Sequence, residues 1–358
     1  MKILFLIERL TGGGAERVCV SVANSLAALG HSISILSHAV SNRDYDLDRR
    51  IKVYTVSMND NKFSRQWRET KCFIKIIKKD NIEIVVNVLG IWFLQSIFFS
   101  KLLGTKIVFS DHNPYERPAN ALFPFSRVQK LNKFFFAKFC NCTTVLTNRD
   151  KEILGDRNNV VVMPNPLFLP ILNYVPKKEK TILAVGRFHV WEVKGFDLLI
   201  KAWGKICREY PEWNLKIIGD CNGKERLIVE GFILEANANN VSVEPFRKNI
   251  MEDYQKSEIF VLSSRYEGFG LVLIEAMSQR CACIACDYKT RQEDIITDGV
   301  DGLLCKSDDA EDLTEKLRQL VSDKELRHHL QQNSTLSLDK YKEENIAKLW
   351  EKVLSNLL

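Results

Sequence analysis

The sequence predicts an α/β protein built from two doubly wound, parallel-sheet domains. Short apolar runs without polar alternation recur along the chain, as strands covered on both faces require. Stretches with apolar residues at helical spacing separate them. The rhythm breaks once, where Pro164, Pro166, Pro170 and Pro176 crowd the chain, because proline is poorly tolerated inside either kind of element. A length of 358 residues suits two domains at roughly 100–200 residues each.

In order, residues 2–7 read as the first strand. The turn Gly12, Gly13, Gly14 follows, then a helical stripe of Val18, Val20, Val22, Ala23, Leu26, Ala27 and Leu29 that Gly30 ends. Residues 32–36, 82–88, 106–109, 143–146 and 160–163 continue the strands. A second series runs through 181–185, 215–218, 241–243, 259–262 and 283–285. In the tail, Ile346, Leu349, Trp350, Val353, Leu354 and Leu357 fall at helical spacing. The expected organisation is a first domain over 1–164, a linker over 165–178, a second domain over 179–335 and a terminal helical segment over 336–358. Two such domains place a ligand cleft where the carboxyl ends of their strands face each other.

Net charge is +6 and unevenly spread: residues 1–165 hold 24 Lys/Arg against 14 Asp/Glu, and 166–358 hold 27 against 31. This argues for one half that meets an anionic surface or substrate, and against a uniformly nucleic-acid-coated protein. Glu8 and Arg9 interrupt the amino-terminal apolar run at once, unlike a signal peptide, so the ten cysteines are expected in a reducing cytosol. Cys281, Cys283 and Cys286 lie in a run of small apolar residues and read as buried packing rather than zinc ligands. Residues 84–99 are broken by Asn87, Gln95 and Ser96 and fall short of the ~20 apolar residues a membrane span needs. A cytoplasmic protein, soluble or peripheral to the membrane, is expected.

Three strand-end loops of the second half hold candidate ligand groups. Gly186, Arg187 and Phe188 are followed by Lys194 and Gly195. Glycine permits close approach, and the two cations either converge on a diphosphate or are simply solvated. Gly219 and Asp220 end the next strand. In the third loop, Glu267 sits beside Gly268, while Glu275 falls among apolar neighbours early in a helix. Burying such a carboxylate is costly unless something binds it, and a pair of hydroxyls is a natural partner. Backbone amides around Gly268 and Gly270, at that helix start, offer an anion site.

Together, Gly186-Arg187-Phe188, Lys194-Gly195, Gly219-Asp220 and the Glu267/Glu275 pair closely resemble the nucleotide-sugar domain of glycosyltransferase family 4, retaining enzymes of the GT-B architecture. The turn from Gly12 to Arg17 also resembles members that build bacterial surface glycans. The resemblance implies two Rossmann-like domains facing a central cleft, with the carboxy-terminal helix packing back toward the first domain. It further implies that Arg187 and Lys194 hold the donor diphosphate and stabilise its departure. Glu267 would contact the donor sugar and Glu275 the ribose hydroxyls. Gly186, Gly219 and the amides of Gly268, Phe269, Gly270 and Leu271 would cradle the donor. Two departures, Asp220-Cys221-Asn222-Gly223 and Glu244-Pro245-Phe246-Arg247, leave the nucleobase open, with uracil preferred.

In the first half, the glycine turn fails as a dinucleotide fingerprint because its third glycine position holds Arg17. Gly13 and Gly14 remain candidates for touching phosphate or acceptor. His112 follows a strand and is either structural or, as the resemblance favours, close to the donor sugar; Asn165 is a weaker candidate for the same region. Asp44, Asp46 and Asp48 match a metal-binding D-x-D spacing, but no strand directly precedes them and a solvated turn explains them. No metal or other cofactor is expected, since Arg187 and Lys194 neutralise the leaving diphosphate. Basic-aromatic stretches, residues 125–139 with Lys130, Lys133 and Phe134, and residues 62–79 with Arg65, Trp67, Arg68, Lys71, Lys75, Lys78 and Lys79, read as bilayer-docking faces or as solvated helices. No nucleic-acid motif accompanies them.

The resulting expectation is a retaining glycosyltransferase of hexosyltransferase type. It would move a hexose or N-acetylhexosamine from UDP-GalNAc, UDP-GlcNAc or UDP-Gal to a polyprenyl-diphosphate-linked saccharide at the inner face of the cytoplasmic membrane. The setting would be assembly of lipopolysaccharide, O-antigen, capsule or a similar glycan. The alternatives are a nucleotide-sugar epimerase or hydrolase of the same shape, which would need further acid/base residues, and a non-catalytic subunit, against which the glutamates with Arg187 and Lys194 argue.

Overall fold

The apolar runs form two sheets whose strand pairings are all parallel. A computed structural model describes the chain apart from residues 39–44, 57–61, 120, 122, 156, 221–222, 248 and 290. It divides into two units. The first holds Met1–Glu116, Phe125–Pro166 and Tyr341–Leu358; the second holds Arg117–Pro124 and Leu167–Lys340.

The first sheet contains β1 (Lys2–Leu6), β2 (Ser32–Ser37), β3 (Lys52–Thr55), β4 (Ile84–Val88), β5 (Lys106–Ser110), β6 (Cys142–Val145) and β7 (Val160–Val162), in the order β3-β2-β1-β4-β5-β6-β7. Its helices are α1 (Gly14–Ala28), α2 (Lys62–Asp80), α3 (Phe93–Leu102), α4 (Arg127–Phe134) and α5 (Asn148–Leu154), with a 3-10 turn at Phe136–Phe139. Strand order reverses between β1 and β4, so loops leaving these strands diverge to opposite faces and open a crevice between them.

The second sheet contains β8 (Glu179–Val185), β9 (Asn214–Gly219), β10 (Val241–Pro245), β11 (Ser257–Leu262), β12 (Ala282–Asp287) and β13 (Leu303–Lys306), in the order β10-β9-β8-β11-β12-β13. Around it lie α6 (Trp191–Lys194), α7 (Phe196–Ile206), α8 (Gly223–Glu235), α9 (Met251–Lys256), α10 (Leu271–Ser278), α11 (Ala310–Ser322) and α12 (Lys324–Asn333). Here the order reverses between β8 and β11, the strands that precede the Gly186 and Glu267 loops. Trp203, Trp213, Phe188 and Phe196 are buried in the apolar core that packs on this sheet.

The last helix, α13 (Glu343–Ser355), returns to the first unit as expected. Ile346, Trp350 and Leu354 bury its inner face, Ser21 donates to Glu343 at 2.5 Å, and His31 pairs with Glu351 at 2.9 Å. Cys281, Cys283 and Cys286 are buried at and along β12, and Cys286 Sγ lies 3.2 Å from Cys305 Sγ on β13. These thiols pack the sheet.

Candidate active site

At the switch point of the second sheet, backbone touches backbone. A Cβ on Gly219 would lie 2.0 Å from the Gly186 carbonyl oxygen, so β8 and β9 end in a contact only glycine permits. The chain after Gly186 then folds back on itself. Gly195, at φ +63°, presses against the β11 loop so closely that a Cβ there would meet the Ser263 carbonyl oxygen at 2.0 Å. Ser263 Oγ donates to the Lys194 carbonyl at 2.8 Å, which locks the two loops together.

This fold-back brings Lys194 to Glu267. Nζ donates to Glu267 Oε1 at 2.6 Å, and Ser264 Oγ donates to the same oxygen at 2.7 Å. Both partners are about 15% exposed, at 16% and 15%, so the pair is largely desolvated yet reachable. An ammonium has three donors, so Lys194 can hold Glu267 and still meet a phosphate oxygen. Arg187 stands at the entrance of the same loop, exposed. Asp220, at the end of β9, accepts from the Phe188 amide at 3.1 Å and shapes that loop.

Beyond Glu267, Gly270 adopts φ +104° and caps α10, with the Phe269 carbonyl held by Gln292 Nε2 at 3.1 Å. Gly268, Phe269, Gly270 and Leu271 thus lead into the helix start, as the sequence implied. Glu275 lies on α10, 4% exposed, and accepts from the Tyr254 hydroxyl at 3.2 Å. That bond offsets part of its burial cost.

In the first unit, Gly13 is the extended N-cap residue of α1, which starts at Gly14. The anion at this helix start belongs to the chain: a Cβ on Gly13 would meet Glu16 Oε2 at 1.9 Å, and Glu16 is buried and paired with Arg9 at 3.3 Å. A carboxylate there already complements the helix dipole. His112 follows β5, with Nε2 3.2 Å from Ser110 Oγ. Burial pushes its pKa down to about 4, while Asp111 and Asn165 pull it upward by less. The imidazole is therefore neutral near pH 7, able to orient a hydroxyl but not to supply positive charge.

One expectation fails here. The sequence placed Lys133 on an outward basic face; instead it is 5% exposed, paired with Asp111 at 2.6 Å, and donates to the carbonyls of Asn113 at 3.0 Å and Pro114 at 3.2 Å. Its Nζ also lies 4.0 Å from the centre of the Tyr115 ring. A lysine with this many acceptors inside is held inward and braces the His112 loop. Of the D-x-D residues, Asp44 lies outside the described residues, and Asp48 is tied to Arg50 at 2.6 Å.

Residues 12–167 match the family model Glycosyltransferase Family 4, and residues 173–336 match Glycosyl transferases group 1. The chain is 28% identical to the amylovoran biosynthesis glycosyltransferase AmsD of Erwinia amylovora over 99% of both chains. It is 24% identical to the GalNAc-alpha-(1->4)-GalNAc-alpha-(1->3)-diNAcBac-PP-undecaprenol alpha-1,4-N-acetyl-D-galactosaminyltransferase of Campylobacter jejuni, over 100% of this chain and 99% of that one. The chain is a glycosyltransferase. Its GT-B architecture is shared with the sucrose-phosphate synthase of Thermosynechococcus elongatus, at TM-score 0.84 and 18% identity over 100% of this chain and 99% of that one.

Two residues of the glycosyltransferase carry the site without a local sequence signal. Arg265 donates to Asp197 at 2.8 and 2.7 Å, to Asp308 at 2.7 Å and to the Glu192 carbonyl at 2.6 Å, riveting the Glu267 loop to the Lys194 loop. Its proximity to Glu267 in sequence was the one available hint. Tyr254, on α9, holds Glu275 from 21 residues away.

Proposed function

We propose that the enzyme transfers a hexose or N-acetylhexosamine from a UDP-sugar to a polyprenyl-diphosphate-linked saccharide, with retention of anomeric configuration, in the assembly of a surface polysaccharide such as O-antigen or capsule. It works peripherally at the inner face of the cytoplasmic membrane. The observation that carries this reading is the desolvated Lys194–Glu267 pair at the switch point of the second sheet, beside the Gly186–Gly219 backbone contact. The AmsD and Campylobacter relatives support the polysaccharide setting and the lipid-linked acceptor.

In this reading Lys194 and Arg187 bind the donor diphosphate and stabilise the charge that grows on it as the glycosidic bond breaks. Leaving-group stabilisation is assigned to these two cations rather than to a metal ion. Glu267, aimed by Lys194 and Ser264, takes hydroxyls of the donor sugar; Glu275, aimed by Tyr254, takes the ribose diol. The acceptor hydroxyl attacks from the face the diphosphate leaves, and a departing phosphate oxygen accepts its proton. The protein contributes position and charge. Neutral His112 orients a hydroxyl.

The test is a panel of UDP-sugars against polyprenyl-diphosphate saccharides, following UDP release and the anomeric configuration of the product. Acceptor-dependent release with an α-linked product from an α-linked donor is expected. Release that needs no acceptor, or an inverted product, would overturn the reading.

A further inference from the structure

Along the first sheet, Leu4 and Leu6 of β1, Val85 of β4, and Ile107 and Phe109 of β5 point to one face. Phe73, Ile76 and Ile77 of α2 pack on that face, as do Phe99 of α3 and Leu103 just after it, joined by Phe93 and Ile97 of α3 and by Ala137 of the 3-10 turn. Helix α2, helix α3 and the turn are therefore neighbours in a single layer, and their outer sides form one surface.

That surface is apolar where a soluble helix layer is ordinarily polar. Leu94, Phe98 and Leu102 of α3 are 49%, 60% and 67% exposed. They recur every four residues and line one side of the helix. Phe135 and Phe139 continue the strip at 49% and 46% exposed, with Lys101 Nζ 5.3 Å from the centre of the Phe139 ring. Cations flank the strip: Lys71, Lys75 and Lys78 of α2 on one side, Lys130 and Lys138 on the other, all exposed. Between residues 84 and 110, and again between 117 and 149, the sequence contains no Asp or Glu.

We infer that this layer is the surface by which the enzyme docks on an anionic bilayer, the strip of Leu94, Phe98, Leu102, Phe135 and Phe139 entering the headgroup–acyl boundary and the flanking lysines meeting lipid phosphates. This rests on the peripheral membrane reading above and names its face. An apolar strip bordered by cations is what interfacial binding requires. Helix α3, about 15 Å long at 1.5 Å per residue, lies in the interface, and among the described residues no helix is long and apolar enough to cross a membrane. Charge selects the occupant: a second copy would set these lysines against lysines.

The test is co-sedimentation with phosphatidylglycerol-containing vesicles and with pure phosphatidylcholine vesicles. It compares wild type with Phe98→Ser/Leu102→Ser and with Lys75→Gln/Lys138→Gln. Wild type should sediment with the anionic vesicles, and salt should weaken binding. The apolar variant should bind at least about tenfold more weakly, with its melting temperature and its transfer to a detergent-dispersed acceptor unchanged. If wild type binds and both variants bind equally well, this face is wrong while membrane association stands. If wild type binds neither vesicle, both readings fall. If instead wild type self-associates and the apolar variant is monomeric, the occupant is a second copy and the inference is overturned.

Discussion

Replacing Lys194 by alanine removes a cation that holds Glu267 and, in the proposed function, the donor diphosphate, and the two losses can be measured apart. The Lys194 ammonium lies 2.6 Å from Glu267 in a setting where both side chains are about 15% exposed. Two unit charges near 4 Å interact by about 4 kcal/mol at an effective dielectric of ~20, most of it offset by desolvation. Ser264 continues to donate to the Glu267 carboxylate, so the folding cost should be about 1–3 kcal/mol. The catalytic cost is larger. Losing one preorganised group on a developing oxyanion costs about 10²–10³ in kcat. The assay pairs urea unfolding with UDP release under saturating donor. Lys194→Ala should lose both; Lys194→Ala/Glu267→Gln, with no carboxylate left unpaired, should recover most of the stability and none of the transfer. If the single variant transfers within threefold of wild type, or the double variant regains activity together with stability, the pair is structural and the diphosphate assignment is wrong.

Tyr254→Phe removes the donor that aims Glu275, so stability should fall by about 1 kcal/mol while donor KM rises and kcat holds; an unchanged KM would remove Glu275 from the ribose. His112 gives a pH signature. Its folded pKa of about 4 lies below the unfolded 6.5, so between these values the unfolded chain binds more protons and stability falls as pH falls, by at most about 3 kcal/mol over the window. His112→Gln should flatten urea midpoints between pH 6.5 and 4 relative to wild type, and equal slopes would contradict it. Lys133→Met strands a buried Asp111 and should destabilise by about 3–5 kcal/mol, whereas exposed Lys130→Gln should leave the melting temperature within about a degree of wild type, since surface changes cost little.

Most strands were legible because parallel strands buried on both faces leave unbroken apolar runs: Ile3, Leu4, Phe5 and Leu6 are all essentially inaccessible. The two unread strands, β3 and β13, are edge strands. Lys-Val-Tyr-Thr in β3 is half exposed, so nothing forces its pattern to be apolar. In the Lys194 and Glu267 loops the sequence displayed the groups but not the contacts that aim them. Glycines at 186, 195 and 219 mark where backbone meets backbone, yet the partners of Arg265 lie 68 and 43 residues away. Such pairings follow from tertiary packing, which local periodicity does not encode.

Charge was the least legible property, because counting residues ignores where each one ends. The excess of cations over the first 165 residues suggested a half that meets an anionic surface or substrate. Part of it turns inward or is spent locally: Lys133 on Asp111, Lys52 on Asp80, Arg50 on Asp48, Arg149 on Glu116. Paired charges present little field beyond their own contact. Among the described residues, exposed lysines stand on the outer side of α2, α3 and the 3-10 turn, those of α2 about one helical turn apart, ~5.4 Å, within the ~8–10 Å over which salt lets charges act together. The proposed diphosphate site, by contrast, falls in the half with the acidic balance. There Lys194, at 2.6 Å from Glu267, could act only on a group at contact distance, where one charge interacts more strongly than any single distant, screened one. A docking surface is therefore read from unpaired outward charge, and a phosphate site from the few cations that loop glycines bring to one point.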